Sequence, residues 1–431
     1  MFRAAWTAKP KSFSIGSPPH LETDLTSAVK PLPAWRYGLP LFNAVVYRGT
    51  LVILRLLGRT VWRWRLDGLE KCPLDEPFLL LPNHTSLMDP FFVGSPVNRC
   101  IRSMASRSVL KIPYLGAFLK TVGSFPKMKY TKDRAAMQTL QRLFDEGFAI
   151  LLFPEGNRSF NGETAPLLPG VGRLIKRLGC KVVYARMNTN YFFQPRWAKY
   201  PRWVPIEVTY DGPHTYDPDQ TAEQITADAQ KHLTVVPHLK NPAATWGFRM
   251  AHGLPQYLWA CPKCFELETL AVAPDDGNSV VCGCCASRWT LNVECMMSGT
   301  TEQSVADAFR AIEAHFGAPP VADRAHFDET GVALRGAGGE LLEVPPHDRK
   351  GVLKCKGEYQ IHTSGLRIVD GDTVLWQASF ESIKAISVEM ANLLHFRIDG
   401  TLHRVVLPEE SPLKWDHFLR KWRRHEVGSE H

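Results

Sequence analysis

Three short apolar runs constrain this chain more than any other feature. Residues 78–81 (FLLL), 148–153 (FAILLF) and 182–185 (VVYA) have strand length and no polar alternation, so each needs cover on both faces, as strands of a parallel sheet do. The spans between them are long enough for crossover connections, and the expected fold class is α/β with a mostly parallel sheet. One helix expected between these strands spans 133–146. Asp133 suits its N-cap, Met137, Leu140 and Phe144 share one face, and Gly147 follows its end.

At 431 residues the chain exceeds one ordinary core, which points to two to four units. Its 45% hydrophobic and 22% charged residues exclude wholesale disorder and a polytopic membrane protein. The Ser/Pro-rich stretch 1–35 reads as a flexible tail, and nothing before Pro31 has the pattern of a secretory signal. Residues 39–58 are the most apolar stretch, but Arg48 and Arg55 interrupt it, which a spanning helix tolerates poorly. At 100° per residue Arg48, Arg55 and Arg59 form one stripe and Val46, Ile53 and Leu57 the opposite one. Two placements fit: an amphipathic helix over 36–66 lying on a membrane, with Trp62 and Trp64 as interfacial anchors, or the same helix docked on the core.

Charge is uneven along the chain. Residues 1–70 carry ten Lys/Arg against four Asp/Glu, and 99–134 carry nine against one, within a net charge of +8. Such surfaces attract anionic lipid, phosphorylated substrates or nucleic acid, and charge alone does not choose among them.

Six of the ten cysteines lie between 261 and 295. That is no disulfide framework; in a large chain without a secretory pattern it reads as a metal site in a reducing compartment. Cys261, Cys264, Cys282 and Cys285 make two Cys-x2-Cys pairs seventeen residues apart, the spacing of a four-thiolate structural zinc ribbon over 259–295. Cys284 is an alternative fourth ligand and Cys295 a weaker one. Between 261 and 300 two basic residues face five acids, which argues against a nucleic-acid partner for this module.

The remaining divisions follow from composition. The α/β unit spans 67–215, a linker and helix 216–258, and a helix and linker 296–350. Residues 351–425 alternate as strands do and end in a helix after Pro412 with Trp415, Phe418, Leu419 and Trp422 on one face. This small β-rich unit resembles pleckstrin-homology or GRAM-like modules, and its basic end at 420–424 suits an anionic surface or a solvated face.

His84 directly follows the first apolar run, inside Asn83-His-Thr-Ser-Leu-Met-Asp89, and strand carboxyl ends are where α/β sheets bind ligands. With 15 histidines and 43 acids, about one or two His-x4-Asp pairs arise by chance, so spacing alone decides little. Five residues turn about 140° on a helix, so the pair must bridge a bend, with Asp89 as N-cap and Pro90 opening a helix. A carboxylate-oriented imidazole deprotonates alcohols at neutral pH, and no serine is needed when the acceptor alcohol attacks directly. The second run ends in Phe153-Pro-Glu-Gly-Asn-Arg-Ser159, which puts Glu155, Gly156 and Arg158 at another strand end.

With both motifs present in order, the chain over about 60–210 resembles the glycerolipid acyltransferase family, whose first motif is Asn-His-x4-Asp and whose third is Phe-Pro-Glu-Gly-x-Arg-Ser. The resemblance implies that His84 is the general base, Asp89 orients it, Glu155 and Gly156 position the acceptor, and Arg158 binds its phosphate. It also implies an acyl thioester of coenzyme A or acyl carrier protein as donor and a lysophospholipid or glycerol-phosphate acceptor. The closed four-thiolate set leaves no catalytic metal expected, and the arginine stripe of 48–59 gives the expected place at the membrane, on its cytoplasmic face. Where the family's second motif carries an arginine this sequence offers Lys127 and Lys129, and Cys180-Lys-Val-Val-Tyr-Ala-Arg186 lacks the proline of the fourth. Two alternatives remain: a non-catalytic lipid-binding scaffold on this fold, or an acyltransferase with a non-phosphate lipid acceptor.

Overall fold

The computed structural model describes residues 40–107, 109–128, 133–242, 245–317, 327–336, 338–345, 351–389, 392–407 and 410–426. The tail over 1–35 and Lys129 lie outside these residues. Helix α1 (Leu41–Thr60) leads into strand β1 (Arg65–Asp67), followed by β2 (Phe78–Pro82), α2 (Asp89–Gly94), β3 (Ile101–Ser106) and α3 (Leu115–Thr121). Then come β4 (Phe125–Lys127), α4 (Arg134–Asp145), β5 (Ala149–Leu151), α5 (Gly170–Leu178), β6 (Lys181–Met187), α6 (Asn190–Phe193), β7 (Glu207–His214) and α7 (Ala222–Leu233).

The seven strands form one sheet in the order β1-β7-β6-β2-β5-β3-β4. β6, β2, β5, β3 and β4 are mutually parallel, β7 runs against β6, and β1 runs with β7. All five β2 residues are buried, and apolar clusters cover both faces of the sheet: Leu79, Leu81, Ile150 and Tyr184 on one, Phe78, Leu80, Ala149 and Val183 on the other. The apolar runs thus become central strands for the reason they looked like them. The local helix signals also hold. Asp133 accepts the Ala136 N–H at 3.0 Å at the start of α4, and Thr221 and Gln224 close a capping box on α7. α5 and α7 approach so closely that a Cβ on Gly172 would sit 1.8 Å from the Ala222 carbonyl oxygen.

α1 corrects the expected division of its faces. Ala44, Tyr47 and Leu51 are buried against the sheet, whereas Phe42, Val45, Val52, Ile53 and Leu56 are exposed. Arg55 does not face outward: its Nε and Nη2 donate to the Ser95 and Val97 carbonyls at 2.9 and 3.1 Å. The helix carries two apolar faces with the arginine stripe between them, and periodicity cannot tell which is covered. No helix among the described residues is long and apolar enough to cross a membrane.

A short helix α8 (Leu254–Tyr257) precedes a five-stranded antiparallel sheet, β8 (Leu270–Val272), β9 (Ser279–Cys282), β10 (Arg288–Leu291), β11 (Met296–Gly299) and β12 (Gln303–Ser304), then α9 (Val305–Gly317). β11 and β12 extend this module beyond the boundary expected at 295, because their backbone pairs with β10 although their sequence barely alternates. The C-terminal domain holds β13 (Val332–Arg335), β14 (Gly339–Val344), β15 (Val352–His362), β16 (Gly365–Asp370), β17 (Thr373–Ala378), β18 (Lys384–Glu389), β19 (Leu393–Ile398) and β20 (Thr401–Val406), closed by α10 (Pro412–Glu426). It begins before 351: β13 and β14 both pair with β15, and the glycines around them hid the alternation. Trp415, Leu419 and Trp422 of α10 bury into this sheet, as their shared face implies.

Candidate active site

Parallel strands put the carboxyl ends of β2, β5 and β6 at one edge, and the loops leaving them build the site. His84 Nδ1 lies 2.8 Å from Asp89 Oδ2. The same oxygen accepts the Thr85 and Ser86 N–H groups at 2.7 and 2.9 Å, so the carboxylate folds the His84 loop around itself. This differs from the expected N-cap: Met88 takes the cap and Asp89 is the first helical residue, its oxygens turned back to the loop. Asp89 is fully buried, and Asn190 Nδ2 donates to its Oδ1 at 2.9 Å. The acceptor-only carboxylate sets the imidazole tautomer, with the proton on Nδ1 and the basic lone pair on Nε2. The ring stacks on Phe153 at 3.8 Å between centroids, which fixes its plane.

Glu155 joins the motif loops through backbone N–H groups. Its Oε1 accepts the His84 backbone N–H at 2.7 Å and its Oε2 the Ala165 N–H at 2.8 Å. Burial pushes its pKa up to about 8, against those two N–H bonds, with the nearby Asp89 charge adding to the rise. Gly156 has φ +76°, and a Cβ there would fall 2.8 Å from Leu168 Cδ1, so the turn between Glu155 and Arg158 requires glycine. Ser159 N–H donates to the His84 carbonyl at 2.8 Å and locks the two loops together.

Arg158 lines a cleft with Phe160, Arg196, Gln256, Tyr257 and Val388, where the sheet domain, α8 and β18 meet. Burial lowers the basicity of its guanidinium, and the Asp89 carboxylate opposes that shift. Arg196 ties this junction: Nη1 donates to the Arg158 carbonyl at 2.8 Å and Nη2 to that of Val388 at 2.6 Å. Lys127 is not beside this group. It ends β4, separated from β2 by β3 and β5, roughly 14 Å at about 4.8 Å per strand, and its Nζ donates to the Met128 carbonyl at 2.9 Å.

Two contributors escaped the sequence reading. Asn190 opens α6 after β6, and its signal was a polar Asn-Thr-Asn at a third strand end. Asn83 clamps β2 to β6 by exchanging two bonds with the Met187 backbone, at 2.8 and 3.2 Å.

Beyond the sheet, Cys261, Cys264, Cys282 and Cys285 converge with all Sγ atoms within 4.8 Å of one another. Separations of 3.7 Å (Cys261–Cys285) and 3.8 Å (Cys264–Cys282) match the edge, about 3.8 Å, of a tetrahedron with 2.3 Å metal–sulfur bonds. Cys284 is exposed, and Cys295 is buried with its sulfur 3.0 Å from Arg202 Nη1. A second cluster, Asp211 with His214 and His232, has both carboxylate oxygens taken by imidazoles and Arg186 3.8 Å away. That guanidinium opposes a cation, and the group serves as an ion network between β7 and α7.

Comparison with known proteins bears on residues 63–187. The family model described as Acyltransferase matches residues 63–187. The chain is 27% identical over 131 residues to the 1-acyl-sn-glycerol-3-phosphate acyltransferase of Borreliella burgdorferi, covering 30% of this chain and 52% of that protein. It is 28% identical over 122 residues to the chloroplastic 1-acyl-sn-glycerol-3-phosphate acyltransferase BAT2 of Brassica napus, covering 27% and 35%. Among solved structures it is similar to the 1-acyl-sn-glycerophosphate (LPA) acyltransferase PlsC of Thermotoga maritima, with 18% identity and a TM-score of 0.38 over 46% of this chain and 81% of that one. The chain thus spans about half, or a third, of the length of these curated relatives. Residues 63–187, which the Acyltransferase family model matches, contain both the Asn83–Asp89 and the Phe153–Ser159 motifs.

Proposed function

We propose that this protein transfers a fatty acyl group from an acyl thioester of coenzyme A or acyl carrier protein to the hydroxyl of a lysophospholipid or glycerol phosphate. The observation that carries this reading is the 2.8 Å contact between His84 Nδ1 and the buried Asp89 carboxylate. His84 Nε2 takes the acceptor's hydroxyl proton as the oxygen attacks the thioester carbonyl. The tetrahedral adduct expels the thiolate, which receives that proton from the imidazolium. A thiol pKa near 8.5 makes the thiolate a good leaving group, so no covalent enzyme intermediate is needed.

Glu155 acts in this scheme through position: it holds the His84 backbone rather than the acceptor, while Arg158 offers the acceptor phosphate a guanidinium in its cleft. An apolar recess lined by Leu51, Leu54, Phe91, Leu119 and Val122 opens beside Pro90, next to Asp89, and suits the acyl chain. Lys127, at the end of β4, offers its charge to anionic lipid rather than to the acceptor phosphate. The exposed apolar face of α1 rests on the bilayer, which makes the protein membrane-associated, and the clustered thiols fit the reducing cytoplasmic side. The four-cysteine module is a structural zinc ribbon whose closed ligand set supplies stability and no step of the reaction. The C-terminal sheet with its closing helix is a pleckstrin-homology or GRAM-like domain.

Labelled acyl transfer from acyl-coenzyme A and acyl carrier protein to lysophosphatidic acid, glycerol 3-phosphate and monoacylglycerol tests this reading. Wild type should acylate a phosphorylated acceptor, and folded His84→Ala should lose about 10²- to 10⁴-fold, the usual weight of a general base. Absence of transfer from wild type to every acceptor would put the scaffold reading ahead, and transfer to monoacylglycerol alone would change the acceptor class.

A further inference from the structure

The sheet's strand directions bring a second surface to the catalytic edge. β1 and β7 run opposite to β2 and β6, so both begin at the edge where His84 sits. The turn after α1, with Trp62 and Trp64, and the segment before β7, with Trp203, therefore lie on that side. Ile206 N–H donates to the Trp62 carbonyl at 3.0 Å and binds the two together. Trp203 pairs by backbone with Trp246, and Arg63 sits 5.8 Å from the Trp203 ring. Phe248 continues the patch edge-on to Tyr200.

Trp62 and Trp64 pack half-buried against the core, but Trp203, Trp246 and Phe248 stay in water, the last two 61% and 59% exposed. Exposed Lys199 and Arg249 flank them, 5.8 and 5.6 Å from the Tyr200 and Phe248 rings. No Asp or Glu occurs in residues 164–206 or 229–265, the two stretches that build this surface. The acids that follow these stretches or neighbour Gly277, which packs on Arg249, are engaged elsewhere, Glu207 by Arg65 and Lys240, Asp275 by Arg288, and Asp276 by Ser279.

We propose that Trp203, Trp246 and Phe248, with Lys199 and Arg249, form a second contact with an anionic phospholipid bilayer, beside α1. Trp rings beside Lys and Arg fit the headgroup boundary, where the ring enters the interface and the cation meets lipid phosphate. Together with the exposed face of α1, the patch gives two points of attachment on either side of the sheet's entry turn and turns the catalytic edge toward lipid. The inference rests on the reading of α1 as lipid-facing, extends it to residues outside the acyltransferase match at 63–187, and is tested by binding rather than turnover.

Co-sedimentation of the full chain with phosphatidylcholine vesicles, with and without phosphatidylglycerol, tests it. Trp246→Glu/Phe248→Glu should weaken partition onto anionic vesicles about tenfold, while Lys199→Glu/Arg249→Glu should remove the preference for anionic over neutral vesicles. Val52→Asp/Leu56→Asp reports the α1 contact separately, and acyl transfer to detergent-dispersed acceptor reports the enzyme. Wild-type partition by a Trp246→Glu/Phe248→Glu protein with an unchanged thermal midpoint would overturn the patch. Retained anionic preference in the folded charge-reversed pair would overturn its electrostatic basis. Failure of acyl transfer in wild type would strike the proposed function and leave the binding result standing.

Discussion

The four-cysteine module and the strand-edge site each gather a few polar groups, yet by opposite means. All four thiols come from 25 consecutive residues, 261–285, and two tight turns bring them together. Around Asp89 the partners arrive from three strand ends: Thr85 and Ser86 after β2, Asn190 after β6, and Glu155 after β5 through the His84 backbone. The first arrangement depends on a local loop and the ligand it closes around. The second depends on the whole sheet holding register, so its geometry is stored in the fold rather than in the motif.

Removing one thiol separates the two arrangements. Cys264→Ser should eject the proposed metal and lower the thermal midpoint by roughly 4 °C, about 4 kcal/mol at about 2.1 cal/mol/K of unfolding entropy per residue, as calorimetry and metal analysis would show. The loss should spread, because Trp259, Cys261 and Cys282 share one apolar cluster with Tyr191, Phe192 and Trp197 of the sheet domain. Cys284→Ser, at an exposed position, should change neither quantity. Equal behaviour of the two variants would mean that the cluster is held by packing alone.

What was readable in the sequence follows the same division. The apolar runs fixed the central strands, the Cys-x2-Cys spacing fixed the thiol cluster, and His84, Asp89, Glu155 and Arg158 lie where strand ends placed them. Asn190 was not readable as a partner, since its contact with Asp89 spans 101 residues and depends on β6 lying directly beside β2. Nor was the orientation of α1, whose two apolar faces differ only in what covers them. Lys127 looked like a phosphate ligand by charge, but strand order sets it three strands from His84.

Asn190→Ala measures how much of the strand-edge site is stored at long range. It removes the donor to Asp89 Oδ1 in a fully buried setting, which should cost about 1–3 kcal/mol of stability. The bonds of Asp89 Oδ2 to Thr85 and Ser86 remain, so His84 keeps its partner but loses part of its aim. We expect kcat to fall about tenfold with KM little changed, because the loss falls on the transition state rather than on acceptor binding. A variant with unchanged kcat would show that the loop after β2 holds the pair alone, as a local motif does.

The smallest effect is a slope rather than a loss. Burial holds the Glu155 pKa near 8, above its ordinary 4.5, so between those values the unfolded chain has released this proton while the folded chain keeps it. Stability must then fall as pH rises across that window, the reverse of a salt-bridged carboxylate. Glu155→Gln removes the titration, though its amide cannot accept from both the His84 and Ala165 N–H groups, so the variant should be less stable at low pH. The gap between wild type and variant should narrow from pH 5 to pH 8 in denaturant titrations. A constant gap would mean that the two backbone bonds outweigh burial and keep Glu155 ionised, and the carboxylate would then fasten the two motif loops as a charge.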